Sequence, residues 1–316
     1  MRLISDWLKD APVPGSPAVL TIGVFDGLHL GHQYLINQVL SRAVALGVES
    51  LLITFEPHPL SVLSSKYAPA ILTTFEQKKD ILSAMGLDCL GCLRFNSELA
   101  AYEAEDFLNE VLAPRVQPVE IFIGTDFRFG RNAEGHFEQL AAWAKNTGAL
   151  IKPVEIQHAK NGEIYSSSHI RGLLKMGHVE SAVRLLGRSY RITGEVISGQ
   201  KRGRTLGFPT ANLGNVEQLI PGPGVYAVLA TLRGKILPAM TSIGNNPTFK
   251  GQYLTVETYI FDFDDDFYGE SLSLDFIRRI RGMVRFDSAF ALAAKLKEDE
   301  LQAREFTNKF LSKSPK

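Results

Sequence analysis

Two histidines, His29 and His32, close the run Gly23-Val24-Phe25-Asp26-Gly27-Leu28-His29-Leu30-Gly31-His32, where an apolar segment hands over to a helical pattern. Glycines let a backbone approach a phosphate closely, and the first turn of a helix offers unpaired N–H groups to an anion. Gly23, Gly27 and Gly31 meet the first requirement and the helix start meets the second. Two imidazoles three positions apart converge on one ligand, where they hydrogen-bond phosphate oxygens and offset charge building up at an α-phosphate. The alternative is a pair of surface histidines in a turn, but here strand end, glycines and helix start coincide. A metal centre would need a third ligand, which is not in view.

A second run with phosphate chemistry lies in the other half: Gly199-Gln200-Lys201-Arg202-Gly203-Arg204-Thr205-Leu206-Gly207-Phe208-Pro209-Thr210-Ala211-Asn212. It is not the G-x-x-x-x-G-K-[ST] phosphate loop, which opens a helix. Gly199, Lys201, Gly203 and Gly207 nevertheless suit a cradle of backbone N–H groups around ATP phosphates. Thr210 and Asn212 offer a hydroxyl and an amide carbonyl, hard oxygen donors of the kind Mg²⁺ accepts beside ATP oxygens and water. A solvated basic hairpin is the alternative.

The elements that must position these groups change character along the chain. In the first half the pattern predicts strands at Ala18–Phe25, Ser50–Phe55, Asp88–Leu93, Val119–Gly124 and Ala149–Glu155. It predicts helices at His32–Gly47, Phe75–Met85, Glu103–Val111 and Gly135–Asn146 between them. Strand–helix alternation implies a Rossmann-like parallel sheet with helices on both faces, which binds ligands at the carboxyl ends of its strands. Beyond a short helix at Ile170–Leu185, strands at Tyr190–Ile197, Gly224–Leu232, Lys235–Ile243, Tyr253–Phe263 and Glu270–Phe276 follow one another through Gly/Pro/Asn turns. That predicts a small antiparallel β-barrel or sandwich, closed by a terminal helix at Ser288–Phe310. The expected domains are 1–186 and 187–316.

The 316 residues suffice for about two domains. Lys+Arg and Asp+Glu number 34 each, a formal net charge of zero, which argues against wrapping nucleic acid by bulk charge. No stretch approaches roughly 18 uninterrupted apolar residues, so no membrane span is expected. The N-terminus lacks a secretion-type apolar core. The two cysteines, Cys89 and Cys92, sit in the apolar run DCLGCL and read as core thiols, consistent with a reducing compartment and a cytoplasmic protein. The run Asp262 to Asp266 reads as a solvated turn, since it lacks the spacing of a calcium loop.

The segment H-L-G-H at His29–His32 resembles the H-x-G-H signature of the nucleotidylyltransferase superfamily. Ile123-Gly124-Thr125-Asp126-Phe127-Arg128-Phe129-Gly130 and Tyr165-Ser166-Ser167-Ser168-His169-Ile170-Arg171 look like segments of the bacterial bifunctional riboflavin kinase/FMN adenylyltransferase (FAD synthetase) family. In that family the second reads S-S-T-x-x-R. Ser168 here replaces the Thr and keeps a hydroxyl, and His169 stands where Arg is frequent. In the second half, Gly207–Asn212 (GFPTAN), Pro223-Gly224-Val225-Tyr226-Ala227, Ser242–Phe249 and Val256–Phe263 followed by Tyr268-Gly269 resemble the riboflavin kinase portion, in the family's order.

The resemblance implies a nucleotidylyltransferase domain followed by a barrel riboflavin kinase domain. Riboflavin and ATP would give FMN, then FMN and ATP would give FAD and pyrophosphate, with Mg²⁺ as cofactor and small molecules as the partners. It implies that Ser167, Ser168 and Arg171 bind ATP phosphates, with a plain helix cap as the bland role of the serines. Gly23, Phe25 and Asp26 would shape the nucleotide pocket. Pro57 and His58, in Phe55-Glu56-Pro57-His58-Pro59, would lie by the flavin, or merely close a strand-end loop. Asp126 would hold polar substrate groups. Phe127 and Phe129 are suited to stack on a planar isoalloxazine or to plug the core. Glu257 would act as base toward the riboflavin 5′-hydroxyl, its alternative being an outward polar residue. Arg281 would lie near the flavin, or at the surface. A kinase with a degenerate first domain, a flavin-storage module and an RNA-binding protein are the competing readings. The intact paired histidines, Arg171, Glu257 and the zero net charge argue against them.

Overall fold

In the computed structural model the chain divides into two units, Met1–Ser166 and Ser167–Lys316. The structure describes all residues except 14, 160–161, 199–207, 249–250 and 314–316, together with the side chains at 65, 245–248, 251–253 and 313.

The near-continuous apolar runs of the first unit become the strands of a parallel sheet, as expected when both faces are covered. In chain order the elements are β1 Arg2–Ile4, α1 Trp7–Asp10, β2 Pro17–Ile22, α2 Leu30–Leu46, β3 Glu49–Glu56, α3 Pro59–Leu63, α4 Phe75–Ala84, β4 Cys89–Arg94, α5 Ser97–Ala100, α6 Ala104–Asp106, β5 Gln117–Gly124, α7 Phe137–Thr147 and β6 Leu150–Val154. The sheet order is β1-β4-β3-β2-β5-β6, every pair parallel. Alternate residues face two separate cores. Leu20, Ile53 and Ile121 pack with Trp7, Phe107 and Trp143 on one side. Val19, Leu52 and Leu90 pack with Ile36, Val39 and Leu82 on the other. Thus helices cover both faces of the sheet. Gly47 ends α2 in the left-handed region at φ 65°, its N–H satisfying the carbonyls of Ala43 and Val44.

The second unit opens with α8 Ser167–Lys175 and α9 Val179–Leu186, then β7 Tyr190–Ile197, β8 Ala211–Gly214, β9 Gly224–Leu232, β10 Lys235–Thr248, β11 Gly251–Ile260, β12 Ser271–Arg281 and α10 Ala289–Lys313. Its strands close into an antiparallel barrel in the order β10-β11-β8-β7-β12-β9. Val256, Thr258 and Ile260 alternate inward along β11. The Thr241 and Thr258 hydroxyls hydrogen-bond each other at 2.8 Å in the buried interior. α10 lies on the barrel wall, where Ala303 packs with Phe208, Met240 and Phe261.

Several local expectations are corrected. The single helix expected at Ile170–Leu185 is two, because Gly177 adopts φ 76° between them. α9 packs against the barrel, with Glu180 accepting from the Arg279 N–H at 3.2 Å. The helix expected at Glu103–Val111 is a short α6 running into a π-helical turn, Phe107–Leu112. The expected strands do not include Ala211–Gly214, which forms one, and β10 and β12 run several residues past their expected ends.

Trp7 lies over β4 only because position 91 is glycine: a Cβ there would sit 2.6 Å from the indole ring. Gly91→Ala is therefore expected to destabilise the first unit by about 1–3 kcal/mol through overpacking, measured as a lowered denaturation midpoint of its transition.

Candidate active sites

The loop joining β2 to α2 is built under strain. Phe25, Gly27 and Leu28 all take positive φ, at 50°, 80° and 40°. For the two non-glycine residues this conformation costs on the order of 1–3 kcal/mol each and persists only where the surroundings over-determine it. Asp26 does so. Its carboxylate is buried and accepts from the backbone N–H of Leu72 at 2.9 Å and of Thr73 at 3.1 Å, while the Gly27 N–H donates to the Thr73 hydroxyl at 3.1 Å. Asp26 thus clamps the loop to the segment leading into α4. The pocket-lining role expected of it does not include this clamp, in which the carboxylate accepts from backbone amides. Phe25 is buried, with its ring edge-on to His32 at 5.2 Å. Gly23 allows it, because a Cβ there would meet that ring at 3.1 Å.

The clamped loop delivers the paired histidines. His29 is the N-cap of α2, and its Nδ1 accepts the His32 N–H at 3.2 Å. Accepting at Nδ1 selects the tautomer that carries its proton on Nε2. The two rings stack at 3.7 Å, 17° from parallel, with His29 buried and His32 half-buried. Gly31 is required by this packing, since a Cβ would lie 3.0 Å from Tyr165 Cβ and 3.2 Å from His29 Nδ1. The loop, both imidazoles and the first turn of α2 therefore stand together at the carboxyl end of the sheet, where such sheets bind ligands.

Pro57 and His58 follow β3, and His58 caps α3 by accepting the Leu60 N–H at 3.2 Å. Past β5, Asp126 is exposed and Phe127 half-buried, while Phe129 is buried in the core against Phe107. Phe129 is thus a core plug, with Phe127 stacked on it at 5.6 Å. Ser167, Ser168 and Arg171 lie in the first two turns of α8, in the second unit.

In the barrel, β8 and β11 bring the other expected residues together. Asn212 is the register partner of Glu257, and Ala211 of Thr258, so Asn212 and Glu257 project from the same face, both half-buried. Thr210, just before β8, lines a cavity of about 220 Å³ with Thr258, Ile260, Phe263, Asp264, Asp266 and Tyr268. Gly199, Lys201, Gly203 and Gly207 lie outside the described residues. Arg281 is not a loose surface cation: Nε donates to Asp299 of α10 at 2.8 Å, and that carboxylate is fully buried.

Two features escape a reading of sequence alone. The acidic run is an exposed turn, as expected, but Asp264, Asp265 and Asp266 also line the cavity and arginines tie the turn in place. Asp262 pairs with Arg304 at 2.7 Å, and Arg233 reaches Asp265 at 3.4 Å and Glu270. The Arg304 guanidinium holds the Asp262 carboxyl below its ordinary range. The second feature is Lys78 of α4, only 4% exposed. Its place on the apolar stripe with Phe75, Leu82 and Met85 was the available signal, since lysine is rarely buried without partners.

The chain matches the family model for FAD synthetase over residues 13–168 and that for riboflavin kinase over residues 186–307. It is 37% identical over 292 residues to the bifunctional riboflavin kinase/FMN adenylyltransferase of Listeria monocytogenes, covering 91% of this chain and 92% of the relative. The chain belongs to the bifunctional riboflavin kinase/FMN adenylyltransferase family. The Escherichia coli K12 member is 35% identical over 307 residues, covering 97% of this chain and 98% of the relative. A solved Streptococcus pneumoniae structure, described as a macrolide-efflux protein, superposes with a TM-score of 0.83 at 32% identity over 96% of this chain and 98% of that one. Among the described residues of the present family member no helix is long and apolar enough to cross a membrane.

Asp26→Ala would leave the buried N–H groups of Leu72 and Thr73 without their acceptor, at a cost of about 1–3 kcal/mol each. The expected outcome is loss of FAD formation from FMN while riboflavin phosphorylation continues, checked by assaying the two half-reactions separately.

Proposed function

We propose that this chain makes FAD in two steps at two separate sites: the barrel unit phosphorylates riboflavin to FMN with ATP, and the sheet unit adenylylates FMN with a second ATP. The observation that carries the reading is the strained, clamped loop that stacks His29 on His32 at the start of α2, inside the segment matched by the FAD synthetase model. A chain that retained only the kinase would have no use for a loop costly to hold in that form.

In adenylylation the FMN phosphate attacks the α-phosphorus of ATP and pyrophosphate departs, with no protein nucleophile. Catalysis is alignment plus stabilisation of charge. His29 and His32 meet the phosphates, and the N–H groups around Gly31 add the positive end of α2. Gly23 and Phe25 shape the nucleotide pocket, with Asp26 acting through the loop. Ser167, Ser168 and Arg171 bind ATP phosphates. The flavin is held by Pro57, His58, Asp126 and Phe127, with Phe129 supporting Phe127 from below.

In the kinase step Glu257 takes the 5′-hydroxyl proton of riboflavin as that oxygen attacks the γ-phosphorus and ADP leaves. Thr210, Asn212 and Glu257 present hydroxyl, amide and carboxylate oxygens, a hard donor set that fits Mg²⁺. Thr210 and Asn212 would hold the ion, which when bound neutralises phosphate charge. The cavity beside Thr210 accepts part of the substrates, and Gly199, Lys201, Gly203 and Gly207 cradle phosphates. Arg281 serves the flavin side of this site while anchored on Asp299.

The partners in this reading are small molecules, and it calls on neither nucleic acid nor membrane. Cys89 and Cys92 are free, buried thiols whose pKa burial pushes up to about 12 and about 11, which fits core thiols and a reducing compartment such as the cytoplasm.

The test separates the half-reactions by chromatography of flavins. His29→Ala and His32→Ala are expected to abolish FAD formation from FMN while riboflavin still yields FMN. Glu257→Ala is expected to do the reverse when FMN is supplied. A folded variant of either kind that lost both activities would refute the two-site reading.

A further inference from the structure

Lys78 carries a buried amine at 4% exposure, and nothing in the chemistry described so far uses it. Its Nζ donates to the Val24 carbonyl at 2.8 Å and to the Thr54 hydroxyl at 3.0 Å. The Thr54 hydroxyl donates to the same carbonyl at 3.1 Å. Val24 O therefore accepts two side-chain donors immediately before the left-handed Phe25. Burial lowers the Lys78 pKa, opposed by the nearby charges of Glu56 and Asp26. An apolar side chain of similar length would fill the same space without burying a polar group, so packing alone does not account for a lysine here.

The geometry explains what the amine does. α4 grips the loop at two points. The Leu72 and Thr73 N–H groups, just ahead of the helix, hold the Asp26 carboxylate, and Lys78, one turn into the helix, holds the Val24 carbonyl. Between these points lies Phe25, whose ring packs edge-on against His32. Freeing Val24 would let the peptide before Phe25 turn and carry that ring away from the imidazole pair.

We propose that Lys78 is a positioning residue for FMN adenylylation, fixing through the Val24 carbonyl the loop that sets the His29–His32 pair. The proposal rests on the reading that this pair meets the phosphates.

The test uses the full chain. Lys78→Met is expected to lower kcat for FMN to FAD by about 10- to 100-fold, the scale of a small misplacement of reacting groups. KM for FMN should stay within about twofold, since alignment rather than binding is lost. Riboflavin phosphorylation should be unchanged, and the His29 imidazole ¹⁵N signals should move. Thr54→Val, which keeps Lys78 but removes one donor, should give a smaller loss in the same direction. If Lys78→Met does not fold, Thr54→Val decides: reduced kcat at wild-type thermal stability supports the proposal, and wild-type kcat overturns it. A Lys78→Met kcat that falls only in proportion to its folded fraction, with His29 signals unmoved, also overturns it. His32→Ala is the control for the underlying reading. If it is inactive toward FMN while both other variants are fully active, only the positioning proposal fails. If it forms FAD normally, the reading of the histidine pair fails.

Discussion

A buried carboxylate holds the first unit's chemistry in place. Asp26 accepts two backbone N–H groups from the segment before α4, and this lets a loop with three positive-φ residues in four persist. Everything downstream depends on that loop: the cap that His29 places on α2, the stacking of His32 upon it, and the close approach of Tyr165 that only Gly31 permits. The strain is local, and hydrogen bonds to groups that would otherwise be buried unsatisfied offset it. Pre-organisation of this kind lets histidines act on a phosphate without reorganising as charge develops.

The barrel solves a similar problem by register. Pairing of β8 with β11 sets Asn212 opposite Glu257, so a carboxylate and a hard oxygen donor share a face without any loop to hold them. The turn after β11 is less self-sufficient. Its aspartates repel one another, and arginines from elsewhere, Arg304 of α10 and Arg233 between β9 and β10, tie it against the cavity. α10 contributes again through Asp299, which fixes Arg281 at the end of β12. The terminal helix is thus a brace for the cavity-bearing end of the barrel as well as a cover for its apolar wall.

Much of this was legible in the residues. Runs such as Ala18–Ile22 and Leu51–Phe55 are apolar on both faces and admit little but a central parallel strand. The His29–His32 spacing, with its glycines, marked the strand-to-helix site because each residue type there has a backbone or chemical reason to be present. What escaped depends on contacts between distant positions. Asp26 reads as a pocket residue, and its hold on the N–H groups of Leu72 and Thr73 shows only in the fold. Phe129 reads equally as a stacking aromatic or a core plug, and only its burial against Phe107 decides between them. The aspartates of 262–266 read as a solvated turn and are exposed, but their pairing with Arg233 and Arg304, 29 and 42 positions from Asp262, is a long-range contact. The helix break at Gly177 was visible only as a glycine within an apolar pattern, and the pattern dominated.

The central claim is that one chain carries two working sites in series. The most direct measurement supplies the full-length protein with riboflavin, ATP and Mg²⁺ and follows the flavins by chromatography over time. The account predicts that FMN forms first and is then converted to FAD. Accumulation of FMN without FAD, even with excess ATP, would contradict it and leave the clamped histidine loop without a reaction to serve.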